Sequence, residues 1–157
     1  MKIRLIVIGK TNATYLKMGE VDYEYRLRHY CKFEELIIPQ IKNGGKLSHN
    51  DHKTKEGKLI LKSIAPKDQV ILLDKEGKSF SSIDFSNYLN QKLLYSSNRL
   101  VFVIGGAFGF SEEVYKRADS KLSLSKMTFS HQMIRLIFKE QLYRAFTILK
   151  GEKYHHE

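Results

Sequence analysis

One apolar segment that breaks into glycines constrains the fold most strongly. Residues 100–110 read Leu-Val-Phe-Val-Ile-Gly-Gly-Ala-Phe-Gly-Phe. An apolar run without polar alternation is typical of a strand that is buried on both faces of a parallel sheet. The glycines that follow allow a sharp turn or a close approach of the backbone to a ligand. Ligands of open α/β sheets bind at the carboxyl ends of strands, so this loop is a candidate site, with a plain turn as the alternative.

The spacing of these glycines disfavours one class of cofactor site. Gly105, Gly106 and Gly109 give Gly-Gly-x-x-Gly, whereas dinucleotide-binding loops read Gly-x-Gly-x-x-Gly. The sequence therefore argues against a nicotinamide-dependent oxidoreductase.

Composition indicates a globular cytoplasmic domain. The chain has 157 residues, of which 42% are hydrophobic, enough for one domain over residues 1–157 with a full core. No apolar run approaches the length of a membrane span, so no membrane association is expected. Cys31 is the single cysteine, which excludes an intrachain disulfide and a thiolate metal cluster. No cluster of carboxylate, histidine and cysteine surrounds His49 and His52 in the sequence, so no metal site is predicted.

The charge balance indicates a polyanionic partner. Lys and Arg total 27 against 17 acidic residues, which gives a net charge of +10. A folded basic domain suggests nucleic acid first, with a basic surface that binds nothing as the alternative. Lys55, Lys58 and Lys62 share one face of a predicted helix and are either solvated or in contact with RNA phosphates.

The order of apolar patterns predicts an α/β fold with a mostly parallel sheet flanked by helices. Asp51 is the expected N-cap of the second helix, Ser81 or Ser82 of the third, and Ser130 of the last. Residues 75–78 are predicted to form a turn. Strands are predicted at residues 2–8, 33–38, 69–73, 100–104 and 121–125, and helices at about 14–30, 51–65, 82–95 and 130–149, with a short helix after Ser111.

The last predicted helix has two contrasting faces. Ile134, Phe138 and Leu142 belong to its apolar stripe, while Arg135 and Lys139 recur on another face with His131 and Tyr143. Only one face can pack fully against its own sheet, so the polar face is expected to meet a partner or a substrate.

The last third of the chain resembles a known family. The ordered motifs are Ile104-Gly-Gly, Leu122-Ser-Leu-Ser-Lys-Met-Thr, His131, Arg135, Glu140-Gln-Leu-Tyr-Arg-Ala and Tyr154-His155. They resemble the RlmH family of bacterial 23S rRNA pseudouridine methyltransferases, part of the SPOUT superfamily. Two positions depart from the family pattern: Phe108 stands in the glycine loop where the family usually has Gly-Gly-Pro-Glu-Gly, and Ser130 precedes His131 where the family often has proline.

The resemblance implies a C-terminal trefoil knot whose loops hold S-adenosylmethionine, although knots are otherwise essentially absent from proteins. By motif, the implied cofactor-binding residues are Leu73, Gly105, Gly106, Leu124, Ser125, Lys126, Met127, Thr128 and Phe129. Glycine backbone and loop amides suit the adenosine, and the apolar members suit the walls of a small-molecule pocket. Without the resemblance, the same apolar residues would be interpreted as ordinary core.

The implied reaction transfers the methyl group of S-adenosylmethionine to N3 of a pseudouridine in 23S rRNA. His131 and His155 are the candidate proton acceptors, Tyr154 a candidate to stack on the base, and Arg135 a candidate phosphate ligand, as is Arg144. His131 has an alternative role as a helix-end residue, His155 as part of a frayed tail, and Arg144 as the i,i+4 ion-pair partner of Glu140.

The implied partners are 23S rRNA within the ribosome and a second copy of the chain. In a homodimer the segment after residue 150 is expected to reach the neighbouring pocket, with deletion of residues 154–157 expected to remove methyl transfer. The alternative function is a non-enzymatic RNA-binding or ribosome-associated protein, which shares the basic charge and needs no cofactor pocket.

Overall fold

Strands and helices alternate along the chain. The computed structural model describes residues 2–42, 45–95 and 98–156. In chain order the elements are β1 (Lys2–Ile8), α1 (Thr14–Leu27), β2 (Lys32–Ile38), α2 (His49–Lys62), β3 (Gln69–Ser79), α3 (Ser82–Tyr95), β4 (Leu100–Ile104), α4 (Glu112–Arg117), β5 (Ser120–Ser123) and α5 (Met133–Leu149).

The five described strands form one sheet in the order β2-β1-β4-β3-β5, and every neighbouring pair is parallel. β4 lies at its centre, and all five of its residues are buried. This position explains its uniform apolarity, because a central parallel strand is covered by helices on both faces. The predicted α/β parallel sheet is confirmed, and the trefoil knot stays a prediction.

Helices cover the sheet on two faces with separate apolar cores. On the first, Leu27 of α1, Phe85 of α3 and Phe138 of α5 pack over Phe102. On the second, Ile60 of α2 and Val114 of α4 pack over Val103. We call these the α1/α3/α5 face and the α2/α4 face. Alternate residues of β4 supply the two cores, as the period of two in a strand requires.

β3 corrects the predicted turn at residues 75–78. The strand continues to Ser79 because it pairs with β5 on both sides of an irregularity, so that Leu73 and Lys78 both face Leu122. A Cβ atom added at Gly77 would lie 2.7 Å from backbone atoms of Lys121 and Leu122. Gly77 therefore allows two strands to approach each other closely and does not belong to a turn.

Other boundaries differ from prediction by a few residues. α1 ends at Leu27 rather than Tyr30, and β5 spans Ser120–Ser123. The predicted Asp51 cap is wrong, because the Ser48 hydroxyl accepts the Asp51 N–H at 3.1 Å and α2 begins at His49. In α3 the cap is Ser81, whose hydroxyl accepts the Asp84 N–H at 3.1 Å.

The prediction that the polar face of α5 lies open is wrong for Lys139. Its ammonium group is fully buried and lies 2.9 Å from Glu20 Oε1, 2.7 Å from Glu24 Oε1 and 2.6 Å from Glu35 Oε2. We call these four residues the Lys139 cluster. Because a charge in a dry interior must be paired, α1 and β2 supply three carboxylates to one cation.

Arg135 is also buried, one turn before Lys139. Its Nη2 donates to the Ile8 carbonyl at 2.6 Å, and its Nη1 donates to the Gly9 carbonyl at 2.8 Å. These are carbonyls at the carboxyl end of β1, where the chain leaves the sheet. The guanidinium thus ties α5 to β1, and desolvation lowers the pKa of Arg135 from its ordinary value.

Candidate functional site

A cavity of about 620 Å³ opens at the carboxyl ends of β4 and β5, beside residues 73–76 in the middle of β3. Its position is the one expected for ligands of open parallel sheets. The lining residues are Leu73, Asp74, Lys75, Glu76, Ile104, Gly105, Gly106, Ala107, Gly109, Phe110, Tyr115, Leu122, Ser123, Leu124, Ser125, Met127, Thr128, Phe129, Ser130, His131 and Ile134.

The sequence-predicted cofactor residues converge on this cavity, although the contacts of a cofactor stay a prediction. Leu73 and the glycines at 105 and 106 form one side, and the loop that follows β5 forms the other. All the predicted residues line the cavity except Lys126, which lies exposed on the same loop.

Backbone geometry shapes the glycine side of the cavity. Gly109 has a φ of +80°, a conformation that favours glycine, and its N–H donates to the Gly106 carbonyl at 3.2 Å. A Cβ atom at Gly105 would lie 3.0 Å from the Phe110 ring. A side chain at position 105 would therefore press on a cavity wall.

Serine side chains hold the opposite loop. The Ser123 hydroxyl donates to the Ser125 carbonyl at 3.0 Å, and the Ser125 hydroxyl accepts the Met127 N–H at 2.9 Å. The Ser130 hydroxyl accepts the Met133 N–H at 3.1 Å, although the N-cap position of α5 is Gln132 and not the predicted Ser130. These local bonds order the loop without a regular element.

Sequence reasoning missed a polar pair in the cavity wall. The Tyr115 hydroxyl donates to the Asp74 carboxylate, and burial together with that carboxylate raises the pKa of Tyr115 to about 12. Tyr115 is therefore a protonated donor at neutral pH. The available signal was Asp74 at the carboxyl end of an apolar strand, the position where parallel sheets place ligand-binding side chains.

The predicted catalytic residues separate into two groups. His131 lines the cavity. Arg135 is buried against β1 and does not line the cavity, while Tyr154 and His155 contact residues further along α5. Tyr154 donates to Glu140 Oε1 at 3.0 Å. Glu140 lies six residues after the cavity-lining Ile134, a separation of about 9 Å along the helix axis.

His155 contacts the ion pair that the sequence offered as an alternative for Arg144. Arg144 Nη2 lies 2.7 Å from Glu140 Oε1, and Arg144 Nη1 donates to His155 Nδ1 at 3.1 Å. Because guanidinium only donates, His155 Nδ1 accepts and Nε2 carries the proton. That Nε2 is buried without a hydrogen-bond partner among the described residues.

Comparison with known proteins assigns the family. The family model described as a predicted SPOUT methyltransferase matches residues 1–155. The chain belongs to the SPOUT methyltransferase family. It is 59% identical over 157 residues to a protein of Parabacteroides distasonis named ribosomal RNA large subunit methyltransferase H, with 100% of each chain covered. A Christiangramia forsetii protein of the same name is 58% identical over 156 residues, covering 99% of each chain.

One solved structure has a similar fold. A probable methylase family protein from Haemophilus influenzae matches with a TM-score of 0.51 at 11% identity, over 95% of this chain and 66% of the other. At that identity the likeness concerns the fold alone.

Within residues 2–42, 45–95 and 98–156 of this SPOUT protein, no helix is long and apolar enough to cross a membrane. The same ranges contain no group of three or more side chains placed to hold a metal ion.

Proposed function

We propose that this protein is an S-adenosylmethionine-dependent methyltransferase that methylates N3 of a pseudouridine in 23S rRNA of the large ribosomal subunit. The observation that carries the proposal is full-length identity of 59% to a protein named ribosomal RNA large subunit methyltransferase H. The cavity at the glycine loop supplies a place for the cofactor. We further propose that residues 1–157 form one cytoplasmic domain with a C-terminal trefoil knot.

The residues that line the cavity fit the cofactor. A volume of about 620 Å³ lies within the range of small-molecule sites, about 300–1,000 Å³. Leu73, Leu124 and Phe129 provide apolar walls, while the backbone of the glycine loop and of residues 124–129 provides donors and acceptors for adenosine. S-adenosylmethionine supplies a methyl group that its sulfonium already activates.

The protein's own task is to position the base and to accept a proton. N3 of a neutral pseudouridine carries a proton, so its lone pair is free for methyl transfer only after that proton leaves. His131 is the histidine that lines the cavity and is our candidate acceptor. Arg135 is left with a structural role, because its Nη1 and Nη2 donate to the carbonyls of Gly9 and Ile8.

The remaining predicted catalytic residues point to a homodimer. Tyr154 and His155 contact α1 and α5 of their own chain and do not line its cavity. If they take part in the reaction, they must reach the cavity of a second copy. A twofold dimer would build two such sites at once, each from two chains.

An apolar face on α1 is the surface we assign to this dimer. Tyr15, Met18, Val21 and Tyr25 are 69%, 69%, 56% and 63% exposed and fall within about 120° of the helix surface. Leu16 and Leu27, on the opposite side of α1, are buried within the chain. A helix that is apolar on both sides is explained by a second packing partner.

The activity is tested by mass spectrometry of 23S rRNA after ribosomes lacking the modification are incubated with protein and S-adenosylmethionine. We expect one added methyl group on a pseudouridine, located at N3 by comparison with a synthetic nucleoside. Leu124→Arg, which puts a charged bulky side chain into the cavity, should abolish methylation while circular dichroism shows a folded protein. Ribosome binding without methyl transfer by the wild type would favour the alternative of a non-enzymatic RNA-binding protein.

The shared site is tested by mixing two inactive variants. One chain carries Leu124→Arg, and the other lacks residues 154–157, of which Glu157 lies outside the described residues. Each homodimer should be inactive, whereas a purified heterodimer has one site with an intact cavity and an intact tail. Restored activity supports a shared site, and an inactive heterodimer refutes it.

A further inference from the structure

A buried carboxylate supports the glycine loop from outside the cavity. Glu56 of α2 is 4% exposed and does not line the cavity. Its Oε1 accepts the Gly106 N–H at 3.1 Å, and its Oε2 lies 3.6 Å from His52 Nε2. Burial raises the pKa of Glu56, against which the Gly106 N–H and His52 favour the ionised form.

The contact between this carboxylate and the loop leaves no room for a side chain. A Cβ atom added at Gly106 would lie 2.7 Å from Glu56 Oε2 and 2.9 Å from Oε1. The loop backbone therefore lies directly on the carboxylate, which explains why glycine is needed at position 106 even though its φ is not in the left-handed region.

A second contact joins the same loop to α2. The Phe108 ring stacks on His49 with a centroid separation of 4.0 Å and meets His52 edge-on at 5.0 Å. Glu56 and the two histidines thus hold both Gly106 and Phe108. Phe108, which departs from the family pattern, is therefore held in place by side chains of α2.

The hydrogen bond fixes the direction of one peptide group in the cavity wall. The peptide between Gly105 and Gly106 is trans, so its carbonyl points opposite to its N–H. Because the N–H points to α2, the Gly105 carbonyl points away from α2. Without an acceptor at position 56, the partly buried N–H would lose its partner, and the peptide would be free to rotate.

We propose that Glu56 is a positioning residue for the cofactor site, which orients the 105–106 peptide through its hydrogen bond to Gly106. The inference rests on the proposed function, because it takes the cavity to be the S-adenosylmethionine site. Glu56 itself does not touch the cofactor and acts only through the loop. Its removal should weaken cofactor binding and leave ribosome binding unchanged.

Calorimetry with S-adenosylmethionine tests this role with two substitutions. Glu56→Gln keeps an oxygen that can accept the Gly106 N–H and should retain affinity within about threefold. Glu56→Leu has a similar size and no acceptor, and we expect its Kd for the cofactor to rise about tenfold or more, as loss of one hydrogen bond to a charged group predicts. The KM for ribosomes should stay unchanged in both variants. If Glu56→Leu does not fold, Glu56→Asp replaces it, because the shorter side chain breaks the 3.1 Å contact.

The matched control is Ile60→Ala, one turn further along α2. Ile60 is 1% exposed in the core of the α2/α4 face, so its truncation destabilises the same helix and leaves Glu56 in place. The control should bind the cofactor like the wild type. An equal loss of affinity in Ile60→Ala at a similar loss of stability, or unchanged affinity in Glu56→Leu, would overturn the inference. Failure of the wild type to bind S-adenosylmethionine would instead overturn the proposed function and this inference with it.

Discussion

The two faces of the sheet use buried charge for different purposes. On the α1/α3/α5 face, Lys139 meets carboxylates from α1 and β2 at 2.6–2.9 Å, and none of these residues lines the cavity. On the α2/α4 face, Glu56 accepts the Gly106 N–H of the cavity wall and lies 3.6 Å from His52 of its own helix. The first arrangement joins secondary-structure elements to one another, whereas the second joins an element to a loop of the site.

The outer surfaces of the two faces differ in the same way. α1 presents tyrosine, methionine and valine to solvent, while α2 presents Lys55, Lys58 and Lys62. Apolar side chains suit a second protein chain, and lysines suit phosphates. We therefore propose that the exposed face of α1 mediates self-association, and that α2 contacts RNA and supports the glycine loop.

The largest expected effect comes from Lys139→Met on the α1/α3/α5 face. Removing the cation leaves three partly buried carboxylates without their partner, so the free energy of unfolding should fall by about 3–5 kcal/mol. Urea denaturation at pH 7 measures the loss. Lys17→Met, at an exposed site of α1, is the control and should stay within about 0.5 kcal/mol of the wild type.

The loss in Lys139→Met should depend on pH with a definite sign. Desolvation raises the pKa of Glu35 even beside Lys139, and removal of the lysine raises it further. A carboxyl group with a raised folded-state pKa contributes stability below its unfolded pKa and loses it as pH rises through the folded value. The deficit should therefore be smaller at pH 5 than at pH 8. A deficit independent of pH would contradict this account of the Lys139 cluster.

The next effect concerns self-association through α1. Met18→Glu places a charge in the exposed apolar face, twice in a twofold dimer, and should raise the dimer dissociation constant about 100-fold, in the range of an interface hot spot. Sedimentation equilibrium measures it. Gln91→Glu adds the same charge at an exposed site of α3 and should leave the constant unchanged. Equal dissociation in both variants would show that net charge, not the α1 face, controls assembly.

A smaller effect is expected from the lysines of α2. Replacing Lys55, Lys58 and Lys62 together by glutamine should raise the KM for ribosomes about tenfold near physiological salt. The slope of log KM against log salt should fall by about 2–3, since each lost phosphate contact removes somewhat less than one unit. Affinity for S-adenosylmethionine should not change.

The control for the lysine variant removes the same charge elsewhere. Lys2, Lys32 and Lys67 are exposed near the amino ends of strands, opposite the cavity. The variant with all three lysines replaced by glutamine should keep the KM for ribosomes within about twofold of the wild type, because we do not expect these lysines to contact phosphates. Equal effects of the two triple variants would mean that the whole basic surface, not α2, attracts RNA.

The smallest effect is expected from Phe108→Ala on the α2/α4 face. Loss of its ring contacts with His49 and His52 should raise the cofactor Kd about two- to fivefold, the scale of an aromatic pair. His49→Ala should have an equal or smaller effect, because the Phe108–His52 contact remains. The double variant should show little loss beyond that of Phe108→Ala, because Phe108→Ala already removes the contact with His49. Additive effects in calorimetry would show that the stacking does not hold the loop.

The periodic elements could be predicted because their patterns are local. The apolar run at 100–104 predicted the central strand β4, and Ser111 predicted the N-cap of α4, which the structure confirms. Family resemblance predicted that Gly105, Gly106 and the segment 124–129 form a cofactor pocket, and most of these residues line the cavity. Structure that depends on residues close together in the sequence, or within one motif, can be predicted from the sequence pattern.

The errors concern contacts made across the fold. Arg135 and Lys139 were interpreted as an open polar face because the pattern within α5 does not show which carboxylates of α1 lie opposite it. Glu20 and Glu24 do lie four residues apart beside the apolar residues of α1, a signal that could have paired them with a buried cation. Gly77 likewise gave no sign that it faces Leu122 of a strand that is more than 40 residues away in the chain.

The strand order has a consequence for how the chain acquires its structure during synthesis. β1 pairs with β2 early, but its other neighbour is β4, and β3 has only β4 and β5 as neighbours. Until residues 100–104 leave the ribosomal tunnel, β1 keeps an open edge and β3 has no partner. Such unpaired apolar strands are prone to aggregate. A nascent chain of this protein therefore has the greatest need of chaperones just before its central strand emerges.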